Sequence, residues 1–293
     1  MSFPVSNAFL TMNKLLFALA LIVLTAFYGS AQEQDTVLRP VLSAYSLEAG
    51  SNHLCNTYLT PLHYSGWRAA LSYERMQAMK FNPERFVQQL NLRFWAGSAD
   101  NPARTASMWQ IGMRPSWSMM WRKPLFGGFT VGVGGTASAD IGMLYLMRNG
   151  NNPVAVHASA TIGATAMAVW NGRIGRLPLT LRYQPTMPLV GAFFSPDYDE
   201  LYYEIWLGNH SGLAHCAWPG NFFRLDNLLT ADFHFGATTL RLGYRCEIFS
   251  SKASGIVSRD ISHLFVLGVT TEWLSLRAGS RRTPDARIIS ALY

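Results

Sequence analysis

Apolar and polar residues alternate along residues 225–248, LDNLLTADFHFGATTLRLGYRCEI, a period that is typical of β-strands. Gly236-Ala237 divides the stretch in two. A two-residue II′ turn there, with glycine supplying the positive φ, predicts a β-hairpin. In that register Phe233 faces Leu240 on one side of the sheet, and Asp232 faces Arg241 on the other. Each strand runs to about ten residues, a length that suits a transmembrane strand.

A second alternating stretch surrounds Asn171-Gly172, a dipeptide that is typical of two-residue hairpin turns. A turn at this position would pair Ile162 with Leu181 on an apolar face and Thr161 with Arg182 on a polar face. The two sets of residues again do not mix. The sequence therefore predicts a second hairpin whose faces differ as sharply as those of the first.

Further alternating segments raise the predicted count to about twelve antiparallel strands, with ten as the alternative. Among them are 41–49, 66–76, 86–96, 106–121, 129–146, 261–270, 271–279 and the terminal 287–293. The connections on one side are generally the shorter, as in outer-membrane barrels. The final Tyr293 resembles the terminal aromatic by which bacterial outer-membrane barrels are recognised for assembly. The irregular stretch 187–224 is predicted to be an ordered lid or plug, with 202–207 as a candidate short strand.

The alternation alone does not tell a soluble sandwich from a membrane barrel, but the N-terminus and the composition do. Residues 12–31 resemble a secretory signal, with Lys14 before an apolar run and small residues at its end. The alternative, a single membrane anchor, would need about 20 apolar residues. Charged residues make up only 14% of the chain, against a usual ~25%. We therefore predict an extension and signal peptide over 1–31 and a transmembrane up-and-down β-barrel over 32–293, with its apolar face toward lipid.

This placement in the outer membrane of a bacterial cell makes membrane lipid and lipopolysaccharide the expected surroundings. Removal of 1–31 takes away Lys14 and leaves 23 basic and 17 acidic residues, a modest and dispersed excess. The chain has no run of Lys and Arg interleaved with aromatics, so we expect no nucleic-acid partner. No motif predicts a cofactor.

Three groups of residues resemble a family of Bacteroidota outer-membrane proteins of unknown function. They are PLVGAFFSPDYDELYYEIW at 188–206, YLTPL and YSG at 58–62 and 64–66, and SHLF at 262–265. The resemblance spans most of the mature chain. It implies a barrel in a Gram-negative outer membrane and supplies no catalytic residues.

The polar face of the predicted strands would line the barrel lumen. Its charged members are Arg68, Glu74, Arg93, Arg114, Arg182, Asp232, Arg241 and Arg245. A narrow barrel can fill its interior with such side chains, and we favour a packed, salt-bridged lumen. An arginine-lined path for anionic solutes is the alternative.

Candidates for chemistry are few. His157 and Ser159 lie two residues apart on one face, as in the His-x-Ser pair of outer-membrane phospholipases, but no third group is identifiable. His210, His215 and Cys216 match no strong zinc pattern, and Asp197, Asp199 and Glu200 lack the spacing of a calcium loop, so we predict no metal. Cys55 and Cys216 are a candidate disulfide.

Three function classes follow. The favoured class is a non-enzymatic barrel, a structural or accessory subunit of an outer-membrane assembly or secretion complex whose external loops bind a protein partner. The aromatic residues of its long loop are the candidate contact surface: Tyr198, Tyr202, Tyr203, Trp206 and Trp218. A small channel for anionic solutes and a lipid-active enzyme using His157 and Ser159 are the alternatives.

Overall fold

A computed structural model describes residues 37–150, 152–197, 201–208, 212–236, 238–274 and 287–292. The predicted signal peptide lies outside the described residues. The strands are β1 (Val37–Leu38), β2 (Val41–Asn56), β3 (Thr60–Ala78), β4 (Phe86–Asp100), β5 (Ser107–Pro124), β6 (Phe129–Leu146), β7 (Val154–Ile174), β8 (Leu177–Phe194), β9 (Ala214–Ala217), β10 (Phe222–Phe235), β11 (Thr238–Ala253), β12 (Ile256–Trp273) and β13 (Arg287–Ile288). One short helix, α1, covers Tyr202–Trp206. Among the described residues, no helix has the length and apolarity to cross a bilayer.

Ten of these strands close into an antiparallel barrel. Strands β2 to β8 pair in chain order, β10 pairs with β8, and β12 returns to pair with β2. Strand β9 adds to the end of β8 outside the ring. The ten-stranded alternative is therefore the right count. Twelve was wrong because β12 runs unbroken through the predicted turn at 270–271, and the terminal segment forms only the two-residue β13, which pairs in parallel with β1.

The hairpin over 225–248 has the predicted register at every position. Asp232 faces Arg241 and Phe233 faces Leu240. Gly236 adopts a φ of 67°, the left-handed conformation that the turn demands and that glycine adopts without strain. Turn chemistry and facial alternation together were sufficient to define this element.

The second hairpin turns at Gly175-Arg176 and not at the predicted Asn171-Gly172. Asn171 lies inside β7, where its side chain accepts a hydrogen bond from Thr180 Oγ1 and donates one to the carbonyl of Leu292. The observed turn lies four residues further along the chain than the predicted turn. Because side chains alternate between faces and the shift is even, each side chain keeps its predicted face. Thr161 and Arg182 are buried, and Ile162 and Leu181 are exposed.

Side chains divide by chemistry between the two surfaces of the barrel. The most deeply buried large side chains include Arg68, Arg182 and Arg241, whereas Tyr45, Leu71 and Phe265 are exposed on the outside. A protein folded for water would reverse this arrangement. The predicted orientation, with the apolar face outward and the charged face in the lumen, is confirmed.

The barrel strands are longer than membrane spanning requires. They contain 14 to 21 residues, against roughly 9 to 11 for a span. We call the end at Val41 the inner end and the end at Asn56 the outer end. Residues 50–65 and 250–260, which lie between the predicted strands, are mostly strand, and Ser254-Gly255 form a tight turn with φ of 47° and 77°. Segment 202–207 was predicted as a candidate short strand, but its first five residues form the helix α1.

The C-terminal segment covers part of the inner end. Ala291 and Leu292 are buried among apolar side chains that point inward from five strands: Leu42, Met76, Val87, Met120, Met167 and Val169. Ile289 donates its backbone N–H to the carbonyl of Leu38. The predicted terminal barrel strand is therefore wrong. The last barrel strand ends at the exposed Trp273, and Tyr293 lies outside the described residues.

Candidate functional site

The lumen between the two ends holds charged side chains of both signs in equal number. Seven arginines and seven carboxylates form ion pairs with one another among the described residues. The arginines are Arg68, Arg93, Arg114, Arg182, Arg224, Arg241 and Arg245. The acids are Glu48, Glu74, Asp140, Asp226, Asp232, Glu247 and Asp260. Since burial of an unpaired charge is very costly, this balance is what a closed interior requires.

The inner cluster centres on Glu74. Its Oε2 accepts hydrogen bonds from Arg182 Nη2 at 2.9 Å and from Arg241 Nη1 at 2.5 Å. Arg241 also donates two parallel hydrogen bonds to the Asp232 carboxylate, of 2.7 and 2.8 Å. Glu74 lies on β3 and Arg182 on β8, on opposite walls of the ring. The cluster therefore spans the lumen, and bidentate pairs of this kind set geometry as well as energy.

The central cluster is organised around Glu247 on β11. Its carboxylate lies 2.8 Å from Arg93, 2.6 Å from Arg114, 3.5 Å from Arg224 and 3.6 Å from Arg68. These arginines come from β3, β4, β5 and β10, so one carboxylate ties together walls on both sides of the barrel. Among the described residues, no other acidic side chain has more arginine partners.

The other acids complete the central cluster. Glu48 lies 2.9 Å from Arg93 and 3.4 Å from Arg245. Asp140 lies 2.7 Å from Arg114 and 3.2 Å from Arg224, Asp226 pairs with Arg245, and Asp260 pairs with Arg68.

An aromatic ring fills the space between three of the arginines. The guanidinium carbons of Arg68, Arg93 and Arg114 lie 5.9, 5.7 and 5.2 Å from the centre of the Trp95 ring. An indole face attracts cations, so Trp95 stabilises these like-charged groups close to one another. A cavity of about 70 Å³ remains beside Ser116, Thr136 and Arg224. That volume has room for a few water molecules.

All eight charged residues that the sequence placed in the lumen lie there. Sequence reasoning missed Arg224 and five acids: Glu48, Asp140, Asp226, Glu247 and Asp260. Two of these could have been found, because Asp226 faces Glu247 in the register of the first hairpin. The lumen predicted from the sequence had six arginines and two acids and thus a positive charge. The ion-paired side chains in the structure are seven arginines and seven acids, whose charges cancel.

Comparison with known proteins identifies the family. Residues 14–280 match a family described as a protein of unknown function, DUF3316. The chain belongs to the DUF3316 family. Among curated proteins nothing matches it.

Solved structures resemble this DUF3316 protein only distantly. The translocator domain of the autotransporter NalP from Neisseria meningitidis is 8% identical, with a TM-score of 0.35 over 91% of this chain and 98% of that one. The outer membrane protease OmpT from Escherichia coli is 6% identical, with a TM-score of 0.44 over 84% and 99%. The β-domain of the Bordetella autotransporter BrkA is 9% identical, with a TM-score of 0.38 over 80% and 100%.

His157 and Ser159 lie on the lumenal face of β7, away from the outward apolar surface. Nε2 of His157 lies 3.2 Å from Asp140 Oδ1, which supplies the third group that the sequence alone could not identify. Asp140 is already paired with Arg114 and Arg224, and it faces Ser159 across the β6–β7 register. The histidine nitrogen therefore contacts a carboxylate of the charge network.

Loops of this DUF3316 protein cover the outer end. Tyr58, from the β2–β3 connection, packs edge-on against Tyr202 of α1, with ring centres 5.7 Å apart, and hydrogen-bonds to Asn152. The Tyr202 hydroxyl accepts a hydrogen bond from the backbone N–H of Val156 at 2.7 Å. Burial raises the pKa of Tyr202 to about 12. Beneath these loops lies an apolar cluster that includes Leu54, Leu59 and Leu144.

The predicted contact surface of the long loop divides in two. Tyr202 is a packed part of the lid, and its hydroxyl is bonded to the backbone of Val156. Tyr203 and Trp218 are exposed, as is Leu207 just after α1. Tyr198 and the side chain of Trp206 lie outside the described residues.

The cysteines and the candidate metal ligands stand apart from one another. Cys55, Cys216 and Cys246 are free thiols. The candidate disulfide is not formed because Cys55 ends β2 and Cys216 lies on β9, whose neighbour β8 is four strands or more from β2 around the ring. His215 contacts the carbonyl of Ser195 at 3.0 Å, and His210, Asp199 and Glu200 lie outside the described residues. Within the described ranges no group of three potential ligands could hold a metal.

Proposed function

We propose that this DUF3316 protein is a closed, non-enzymatic β-barrel of a bacterial outer membrane, in keeping with its resemblance to Bacteroidota proteins. It serves as a structural or accessory subunit of an assembly or secretion complex. Membrane lipid and lipopolysaccharide surround its apolar outer face, and its external loops contact a protein partner.

The observation that carries the proposal is the charge-balanced lumen between two apolar clusters. A solute path needs an open, solvated route, and a transport site for anions needs cations that are free to exchange partners. Here each lumenal arginine is paired with protein carboxylates, and a cluster of packed apolar side chains lies at each end. In such a barrel, the outer face and the loops are the surfaces that can bind a partner.

We expect the purified barrel to pass almost no current in a planar lipid bilayer. The middle of the lumen is packed, since its cavities there hold only about 70 and 30 Å³, and the cavity of about 430 Å³ beside Thr180, His234 and Thr270 lies at the inner end. Insertion is verified independently by flotation with lipid vesicles. Stable anion-selective steps from inserted protein would instead support the channel alternative.

The exposed face of α1 supplies a test of partner binding. Tyr203 and Leu207 are four residues apart and exposed together at the outer end. We expect subunits that co-purify with the protein from native membranes in mild detergent to be lost when Tyr203→Ser and Leu207→Ser are combined. The matched control is Leu62→Ser, an exposed apolar residue near another outer loop. A solitary monomer from native membranes, or equal recovery of subunits with all variants, contradicts the proposal.

The lipid-hydrolase alternative remains testable on one residue. A Ser159→Ala variant retains every ion pair of the lumen described above, because the serine forms none of them. We expect membranes containing it to hydrolyse lipid at the rate of the unmodified protein. A loss of hydrolysis with Ser159→Ala would revive the enzymatic interpretation.

A further inference from the structure

The outer surface of β5, β6 and β7 stays apolar far beyond the part of the barrel that lipid can cover. Three cross-strand rows of outward residues define it. Trp109 faces Tyr145, Ile111 faces Met143, and Met143 in turn faces Val156. Ile141, beside Met113, lies one row further in. We call these six residues the outer apolar patch: Trp109, Ile111, Ile141, Met143, Tyr145 and Val156.

The inner edge of the lipid-facing band is marked by aromatic side chains. Outward aromatics lie at or near the inner ends of five strands: Trp121, Phe129, Trp170, Phe235 and Trp273. Aromatic girdles of this kind sit at membrane interfaces. The band therefore begins at the inner strand ends.

Strand geometry then gives the outer edge of the band. A strand rises about 3.3 Å per residue and tilts by roughly 40° in such barrels, so a band about 25 Å tall takes up about ten residues of each strand. Met143 is fourteen residues from the inner end of β6, and Val156 is eighteen from that of β7. Most of the patch therefore stands in water above the band.

Outward residues become polar at this distance from the inner end on two other strands. The change comes at Ser51 and His53 on β2, and at Ser98 and Asp100 on β4, which borders the patch. Outside the patch, exposed apolar side chains at this distance are separated from one another around the ring, at Trp67 on β3, Val190 on β8 and Ile261 on β12. Contiguous exposed apolar surface such as the patch marks a protein interface.

We propose that the outer apolar patch is the contact between two copies of this chain, related by a two-fold axis along the membrane normal. A partner that covers the patch must extend as far above the lipid-facing band as the patch does, and its surface must be apolar there. A second copy satisfies both conditions, since a two-fold axis along the normal brings identical heights together. The patch contains no charged residue, so identical faces meet without like-charge repulsion.

Residues below the patch allow the two barrels to approach closely. Below the patch, most outward positions of β6 and β7 are small, although Val133 and Ile162 interrupt them. The small residues are Gly135, Ala137, Ala139, Ala160, Ala164, Ala166 and Ala168. Small side chains let backbones pack together in lipid. The six patch residues expose between 36% and 56% of their surfaces. At no more than about 200 Å² for each side chain, they offer at most roughly 550 Å², and the residues below the patch add to this area toward the ~800 Å² per partner of a standard interface.

The test compares two isoleucines at matched heights. Ile141 lies twelve residues from the inner end of β6, inside the patch, and Ile261 lies twelve residues from that of β12, outside it. The full chain is inserted into phosphatidylcholine vesicles, and its mass is measured by native mass spectrometry after mild release. We expect a dimer for the unmodified chain, association at least tenfold weaker for Ile141→Glu, and no change for Ile261→Glu. Heat-dependent gel mobility verifies that each variant is folded.

The inference rests on the proposed membrane location, and different results would contradict the location and the dimer. A chain that does not float with the vesicles contradicts the membrane location. A chain that floats and is folded but remains monomeric overturns the dimer alone, because lipid would then cover the patch through tilt of the barrel. Equal dimer fractions in both glutamate variants, whether lost or retained, also overturn it.

Discussion

Replacement of Glu247 by Gln is expected to destabilise the folded barrel by about 4 kcal/mol, within the 3–5 kcal/mol typical when one partner of a buried ion pair is removed. Glutamine keeps the size of the side chain and removes its charge. Arg68, Arg93, Arg114 and Arg224 then lose their shared carboxylate, and the lumen carries an uncompensated positive charge. The loss is measured as a shift in the urea unfolding midpoint of the barrel in lipid vesicles.

Two variants separate this effect from a general cost of mutation. Glu84→Gln removes a carboxylate from the exposed pair with Arg287, and such surface pairs are worth about 0–1 kcal/mol. Glu247→Gln combined with Arg224→Met restores neutrality, because Arg224 lies against Phe222 and Phe249, where methionine also packs well. We expect the double variant to regain part of the lost stability. If Glu247→Gln cost no more than Glu84→Gln, the lumen would have to be solvated and the proposal of a closed barrel would be wrong.

The wall of the barrel could be predicted from the sequence because its information is local. Alternation assigns each side chain to a face, and one glycine turn sets the register of β10 and β11. Even the misplaced turn at Asn171 left every face correct, since the register moved by an even number of residues. The strand count depended on weaker signals. Thr270-Thr271 looked like a break between strands, but ladder pairing with β11 and β2 carries β12 through it.

The contents of the lumen could be predicted only in part because their contacts are not local. Glu74 and Arg241 meet across the barrel although 167 positions separate them in the chain. Glu48 and Asp260 lie near the predicted ends of strands that extend further than their alternation suggested. Without these acids the interior looked cationic, which kept an anion path among the alternatives. The cover formed by Ala291 and Leu292 was also unforeseen, because a terminal alternating segment resembles one more barrel strand.

One guanidinium makes two of the hydrogen bonds that hold that segment. Arg122, at the inner end of β5, donates hydrogen bonds of 2.7 Å to the carbonyls of both Ser290 and Ala291, and of 3.0 and 2.9 Å to those of Glu84 and Pro83. It thus ties the C-terminal segment to the β3–β4 turn. Hydrogen bonds to a charged group contribute about 1.5–3 kcal/mol each, and they are not additive when one side chain donates them all.

We expect Arg122→Ala to lower the free energy of local opening of residues 287–292 by about 3 kcal/mol. That change corresponds to roughly a hundredfold larger open population. Hydrogen exchange followed by mass spectrometry should show the rise at the amide of Ile289, which bonds to Leu38 in the closed state, while amides of the barrel strands exchange as before. Lys123→Ala, an exposed neighbour on the same strand, is the control. Unchanged exchange in Arg122→Ala would mean that the packing of Ala291 and Leu292 against Met76, Met120 and Val169 holds the segment without the arginine.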